Sequence, residues 1–365
     1  LSEYSQSASL LAHIRITGGL SLCKGREMDS SMDKVLTVIV PVYNMEKYIR
    51  QCLESLVIGE VLDRIEVLVV LDGSKDGSAE IAYEFVEQYP DTFRIIYKAN
   101  GGHGSAINTG LMMASGEYVK ILDSDDWVER DAFCRLVDCL ETEGTDIVWS
   151  NYYWVYEMDG EKAIQYRDPF PEVVYGKKYR FEDIADKTFI KMHSMTIRTE
   201  LARQAGRKID ENCYYVDVEF VMYPITEVET IIFLDEFVYM YRLGRSGQSM
   251  SMEQMRRNHR NHEQVLNSLL DFYDEQKFRH LDQAHLDYLE KGIARVVSSH
   301  FKIYLSFPCS GKVFAMMKAL DEKIREEYPD VYKKVENKVV WAIRRSGYLL
   351  YYPGHFCMSL KEKKV

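Results

Sequence analysis

The stretch Glu117-Tyr118-Val119-Lys120-Ile121-Leu122-Asp123-Ser124-Asp125-Asp126-Trp127 is an apolar run that stops at three carboxylates within four positions. Asp123, Asp125 and Asp126 repel one another, and the end of a buried strand is a costly place to gather negative charge. A divalent cation relieves that cost, and hard oxygen ligands suit Mg2+ or Mn2+. A metal held by a few carboxylates keeps coordination positions open for substrate phosphates. The bland alternative is a solvated helix start with Ser124 or Asp126 as its cap. The cluster's place at a strand's carboxyl end, among other ligand-like turns, favours the metal.

Working outward, residues 34–150 alternate strand and helix. Strands are predicted at 35–40 (closed by Pro41), 65–71, 93–97, 118–122 and 146–150. The intervening helices carry apolar stripes at helical spacing: Ile49, Cys52, Leu53 and Leu56, with Asn44 as cap; Ile81, Phe85 and Tyr89; Ile107 and Leu111; Phe133, Leu136, Val137 and Leu140. This alternation predicts an α/β fold, a doubly wound, mostly parallel sheet with helices on both faces. Ligands of such sheets bind outside the carboxyl ends of the strands. Polar clusters at 41–44, 72–78 and 123–126 each follow a strand directly, so the fold gathers them at one edge.

The chain has 365 residues, 46% of them hydrophobic and 12% aromatic, enough for a large core and for more than one domain. The expected organisation is an N-terminal extension (1–33, with Met32 a candidate start), a ligand-binding half (34–150), an aromatic-rich second half (151–250) and a helical C-terminal region (251–365). A net charge of −11 argues against a nucleic-acid binder. The seven cysteines form no Cys-x-x-Cys pair and read as reduced thiols of a cytoplasmic protein. No stretch reaches the roughly 18 apolar residues of a membrane span.

Taken singly, the turns are weak signals. Alone, Pro41-Val42-Tyr43-Asn44 reads foremost as a strand end and helix cap, and Asp72-Gly73-Ser74-Lys75-Asp76-Gly77-Ser78 reads also as an ordinary turn and N-cap. Asn100-Gly101-Gly102-His103-Gly104-Ser105-Ala106-Ile107-Asn108 is similar to a phosphate-binding turn at a helix N-terminus. It lacks the Gly-Lys-Ser/Thr of the nucleoside-triphosphatase loop, and its glycine spacing does not fit the dinucleotide fingerprint.

The order of these four segments, ending in Gly116–Trp127, resembles the nucleotide-binding half of family 2 inverting glycosyltransferases, which have the GT-A fold. The match is dense over residues 35–150. The resemblance implies a nucleoside-diphosphate sugar donor, most often a UDP-sugar, and Mn2+ or Mg2+ held by Asp123, Asp125 and Asp126. It implies that Asp72 reads the base and that Pro41, Tyr43 and Asn44 line the nucleotide pocket. Gly102, Gly104, Asn108, Asp123, Ser124 and Asp125 complete the donor contacts. Many relatives have two aspartates before Gly73, whereas this chain has Leu71-Asp72, so the contribution of the first is lost.

Relatives also carry a Glu-Asp pair whose aspartate is the catalytic base. Asp217 matches it, with Val216 in place of the glutamate and Glu219 as the nearby substitute. A simple helix cap is the alternative for Asp217. Arg242 and Arg245 match a segment that closes over the donor diphosphate, and His193 sits where relatives shape the acceptor side. The implied activity is metal-dependent, inverting transfer of a sugar to an acceptor hydroxyl, sugar or lipid-linked, in cell-surface polysaccharide or glycoconjugate synthesis. Two other readings remain: a nucleotidyltransferase, which would need a basic glycine loop after the first strand, and a non-catalytic sugar-nucleotide binder. Residues 338–365 interleave Lys338, Arg344, Arg345, Lys361, Lys363 and Lys364 with aromatic and aliphatic residues. That tail is a candidate peripheral contact with the inner face of the cell membrane.

Overall fold

The computed structural model describes residues 34–156, 162–166, 170, 172–204, 206–244, 251–353 and 355. The expected extension 1–33, Arg245 and residues 356–365 of the basic tail lie outside these. Among the described residues ten strands form one sheet: β1 (Leu36–Val42), β2 (Ile65–Asp72), β3 (Phe93–Lys98), β4 (Tyr118–Ile121), β5 (Trp127–Val128), β6 (Ile147–Tyr156), β7 (Lys162–Tyr166), β8 (Lys178–Arg180), β9 (Met195–Arg198) and β10 (Thr230–Leu243). Their order is β3-β2-β1-β4-β9-β6-β10-β5, with β7 on β6 and β8 on β10. From β3 to β4 every pairing is parallel. β9 then runs antiparallel to both β4 and β6, and β6 is again parallel to β10.

β1 and β2 are buried along their whole length, as strands covered on both faces must be. Their side chains alternate between two cores with period two. Val38, Val40, Val67 and Val69 face the helices Ile49–Glu54, Ser78–Gln88 and Arg130–Glu143. Ile39, Leu68 and Val70 face the helix Gly102–Met113 and the core shared with the C-terminal helices. Each such fully buried aliphatic side chain contributes roughly 1.5–3 kcal/mol before the entropy of ordering the chain is counted. The expected α/β architecture with helices on both faces is therefore present. Beyond residue 251 the described residues are mostly helical, the longest elements being His259–Phe278 and Gln283–Ser306, with Val265, Leu269, Phe272, Leu289 and Ile293 buried. Among the described residues no helix is long and apolar enough to cross a membrane.

Two local expectations need correcting. β1 does not stop before Pro41 but continues through it to Val42. Proline is tolerated in this central strand because its missing N–H points toward β4, whose last bond is Leu122 N–H to the Ile39 carbonyl, 3.0 Å. Nor does Asn44 cap the first helix, which begins at Ile49 after Tyr48. Asn44 instead takes a left-handed conformation (φ 54°) and turns the chain toward the next loop.

Candidate active site

β1 is flanked by β2 on one side and β4 on the other, so the strand order reverses there and a crevice opens at the carboxyl ends. The 41–46 and 72–78 turns line it and are tied together. Asn44 N–H donates to Ser74 Oγ (3.1 Å), and Lys75 N–H donates to Asn44 Oδ1 (2.8 Å). Met45 N–H donates to Ser78 Oγ (2.9 Å), Glu46 N–H to Asp76 Oδ2 (2.9 Å) and Gly77 N–H to Glu46 Oε2 (3.0 Å). Pro41 is buried within β1, while Tyr43 is 48% exposed at the lip.

Asp72, the expected base reader, is 3% exposed at the end of β2. Its carboxylate accepts from Lys98 Nζ (2.5 Å), Gly101 N–H (2.9 Å) and Gly102 N–H (2.7 Å). It thus holds the start of the helix Gly102–Met113, whose next residue, His103, meets Asp123 (Nε2 to Oδ1, 2.9 Å). The same turn also holds the 209–213 segment. Asn212 N–H donates to the Gly101 carbonyl (2.5 Å), and Asn108 exchanges two bonds with the Ile209 backbone (2.8 and 3.1 Å). A Cβ on Gly104 would lie 2.2 Å from the Asp210 carbonyl oxygen. Gly104 and Asn108, expected on the donor, have this packing duty.

After β4 the chain makes the acidic turn. Asp126 is 1% exposed; its carboxylate accepts from Tyr239 OH (2.7 Å) and Arg242 N–H (2.7 Å). Burial, with the charges of Asp125 and Asp123 added, holds its carboxyl well above the usual range. The ligand atoms of Asp123, Asp126 and His193 lie within 4.8 Å of one another. Asp125, expected among the metal ligands, is not in that group. Ser124 is buried beside them.

His193 arrives from the second half of the chain, on the turn Met192–Ser194, stacked on Tyr152 (5.6 Å) and edge-on to Tyr239 (4.9 Å). Burial pulls its pKa down to about 4, so the imidazole is neutral at physiological pH, the form that binds metals. Two mutually repelling carboxylates and one neutral imidazole fit a divalent cation, and the nitrogen donor suits Mn2+ or a related transition ion. Lys120, wholly buried in β4, fastens this turn by donating to the carbonyls of His193 (2.9 Å) and Met195 (3.3 Å). Burial lowers its pKa to about 7.

Arg242 is 3% exposed and engaged within the protein. Its Nε donates to the Asp125 carbonyl (2.8 Å) and its Nη2 to Gln51 Oε1 (2.5 Å), while the guanidinium lies over Tyr48 (5.2 Å) and Trp127 (4.7 Å). It braces the acidic turn. Its expected partner Arg245 is outside the described residues.

Asp217 opens the helix Asp217–Met222 and is exposed. The crowded cleft raises its carboxyl, His103 pulls it down, and Asp123 pushes it up again. Burial lowers His103, but Asp123, Asp217 and Asp125 outweigh it and hold its pKa above the usual value. Asp217, His103 and Asp123 therefore sense one another's charge. Glu219, the substitute base, points the other way: it is fully buried, accepts from Asp210 N–H (2.8 Å), and is pushed by burial to about 8.

Sequence reasoning gave His193 to the acceptor side and assigned no role to His103, Lys98 or Tyr239. For His103 a signal existed, a titratable side chain inside a glycine-rich turn. For Tyr239 none did, and for His193 only the resemblance spoke, since the packing of β9 and β10 is what brings them to β4.

Fold and cleft define a GT-A type α/β protein. The family model for glycosyl transferase family 2 matches residues 37–205. The glycosyltransferase GlyG of Streptococcus pneumoniae is 30% identical over 243 residues, 61% of this chain and 75% of GlyG. GlyA of the same organism is 35% identical over 60% of this chain but only 32% of its own length. EpsJ of Bacillus subtilis is 30% identical over 58% of this chain and 62% of its own, so the chain spans less than two thirds of these last two relatives. The solved structure of S. aureus TarS 1-349 in complex with UDP-GlcNAc superposes with a TM-score of 0.61 at 20% identity, covering 87% of this chain and 89% of that one. At that identity the likeness speaks for the fold. The chain belongs to glycosyltransferase family 2.

Proposed function

We propose that this protein transfers a sugar from a nucleoside-diphosphate sugar to an acceptor hydroxyl, with inversion at the anomeric carbon. The observation that carries the reading is the cluster of Asp123, Asp126 and His193, ligand atoms within 4.8 Å of one another at the reversal point of the sheet, with His103 bonded to Asp123 (2.9 Å) and Asp217 within reach of the charges of both. Asp123, Asp126 and His193 would hold a divalent cation, which when bound offsets the charge growing on the leaving diphosphate. Asp217 takes the proton of the acceptor hydroxyl as its oxygen bonds to the anomeric carbon. The bond from that carbon to the diphosphate breaks on the opposite face. One displacement inverts the configuration and needs no covalent enzyme intermediate. A carboxyl raised above its ordinary value is closer to the operating pH, where a general base works best.

In this reading Asp72 serves the base pocket through the turn that it holds, and Tyr43 offers a ring face at the lip. A UDP-sugar is the first donor to try, because the TarS structure contains UDP-GlcNAc. The acceptor is a sugar or lipid-linked hydroxyl of a surface polymer, a reading supported by the similarity to the minor teichoic acid biosynthesis protein GgaB of Bacillus subtilis. The test is a thermal-shift screen of nucleotide sugars with and without Mn2+, followed by NMR of the product formed from the best donor. Stabilisation by one nucleotide class and an inverted anomer support the proposal. A retained anomer removes the single-displacement mechanism.

A further inference from the structure

The helix Lys338–Arg345 is fixed on one side only. Val340 and Ile343 are buried, and Arg344 Nε donates to the buried carboxylate of Asp321 (2.8 Å) with its guanidinium over the Tyr332 ring (3.6 Å). Tyr348 OH donates to the same carboxylate (2.7 Å), and Tyr351 is fully buried beneath the following turn. The helix therefore cannot roll to hide its outer side, where Trp341 is 61% exposed. The turn after it leaves Leu349 79%, Leu350 42% and Tyr352 59% exposed. Leu349 and Leu350 stay within a turn of Arg345 because their N–H groups bond Ser346 (3.3 and 3.1 Å). Exposed Lys338 and Arg345 stand three residues before and four after Trp341, on its face. One acid, Glu336, is exposed just before the helix.

We infer that this face is a docking surface for an anionic lipid bilayer. Trp341, Leu349, Leu350 and Tyr352 enter the headgroup region, while Lys338 and Arg345 meet lipid phosphates. Charge complementarity selects the occupant. A protein of net charge −11 is repelled by an anionic membrane at long range, so its cations act only within a Debye length and must sit where it touches. Aromatic and aliphatic side chains interleaved with cations suit a lipid interface, where long basic side chains keep their heads at the phosphates. The docked helix fixes how the catalytic domain faces the surface.

The test is co-sedimentation of the full chain with vesicles of phosphatidylcholine alone or with about a third phosphatidylglycerol. We expect binding to the anionic vesicles that weakens with salt. Trp341→Ser with Leu349→Ser, and separately Lys338→Glu with Arg345→Glu, should each lower it roughly tenfold at unchanged melting temperature. Equal sedimentation of wild type and variants, or none, overturns the inference. So does a wild-type dimer that the Trp341→Ser and Leu349→Ser changes dissociate, which would make the face a protein interface.

Discussion

One wall of the cleft, built from residues 41–46, 72–78 and 98–103, is held by short bonds between neighbouring turns of a parallel sheet. The opposite wall, built from 192–195, 209–217 and 239–242, is held by aromatic packing and by ties that cross a hundred residues, such as Asn108 to Ile209 and Tyr239 to Asp126. In the first wall Asn44, Glu46, Asp72, Ser74, Asp76 and Ser78 bond turns adjacent in the fold, which the strand order alone brings near. In the second, His193, Tyr239 and Arg242 depend on β9 and β10 taking their places beside β4 and β6, and Asp217 on the ties of 209–212 to the glycine turn. The contrast teaches that the wall proposed to bind the donor is local chemistry on a standard sheet, while the wall proposed to supply the base is a product of tertiary assembly.

The sharpest way to break the comparison is Asp217→Asn. If the second wall supplies the base, transfer should fall about a thousandfold in kcat while donor affinity changes little. Loss of donor affinity instead would move Asp217 to the binding wall. Next in size is Gly104→Ala, at the joint between the walls. The added methyl meets the Asp210 carbonyl oxygen and should cost about 3 kcal/mol in denaturant unfolding. Gly59→Ala, with nothing within 4 Å, is the near-neutral control.

Glu219→Gln sharpens the account of the second wall through pH. The folded-state pKa of Glu219, about 8, lies above its ordinary value, so folding takes up a proton. The advantage of that protonated form is complete below about pH 4.5 and fades as pH rises through 8. Wild type should therefore lose stability relative to Glu219→Gln across that window, by roughly 4–5 kcal/mol at the alkaline end. A difference between them that does not vary with pH would contradict a buried protonated Glu219. The smallest effect tests the first wall: Asn44→Ala loses the Lys75 bond and keeps a left-handed backbone, costing about 1 kcal/mol. Asn44→Gly, which relieves the backbone, should cost less.

Much of the first wall was readable in the sequence because periodicity defines β1 to β4 and their carboxyl ends carry the turns. What escaped there was contact detail. Asp72 shows no sign in the sequence that Lys98 and two backbone N–H groups would claim its carboxylate. Arg242 reads as a phosphate ligand by resemblance and because a guanidinium matches phosphate oxygens; the Tyr48 and Trp127 rings that enclose it lie far away in the chain. His193 was placed near the cleft by resemblance, yet its proximity to Asp123 and Asp126 depends on Lys120 drawing its turn onto β4. Periodicity says nothing about such side-chain meetings.

The central claim is that Asp123, Asp126 and His193 grip a cation that in turn grips a donor diphosphate. Calorimetric titration of UDP into the protein at neutral pH, with and without Mn2+, tests it directly, with Asp126→Asn and His193→Ala alongside. The account predicts that Mn2+ tightens UDP binding by about tenfold or more and that either substitution removes that gain. Binding of UDP, or of any other nucleoside diphosphate, that is the same with and without Mn2+ in the wild-type protein would contradict it.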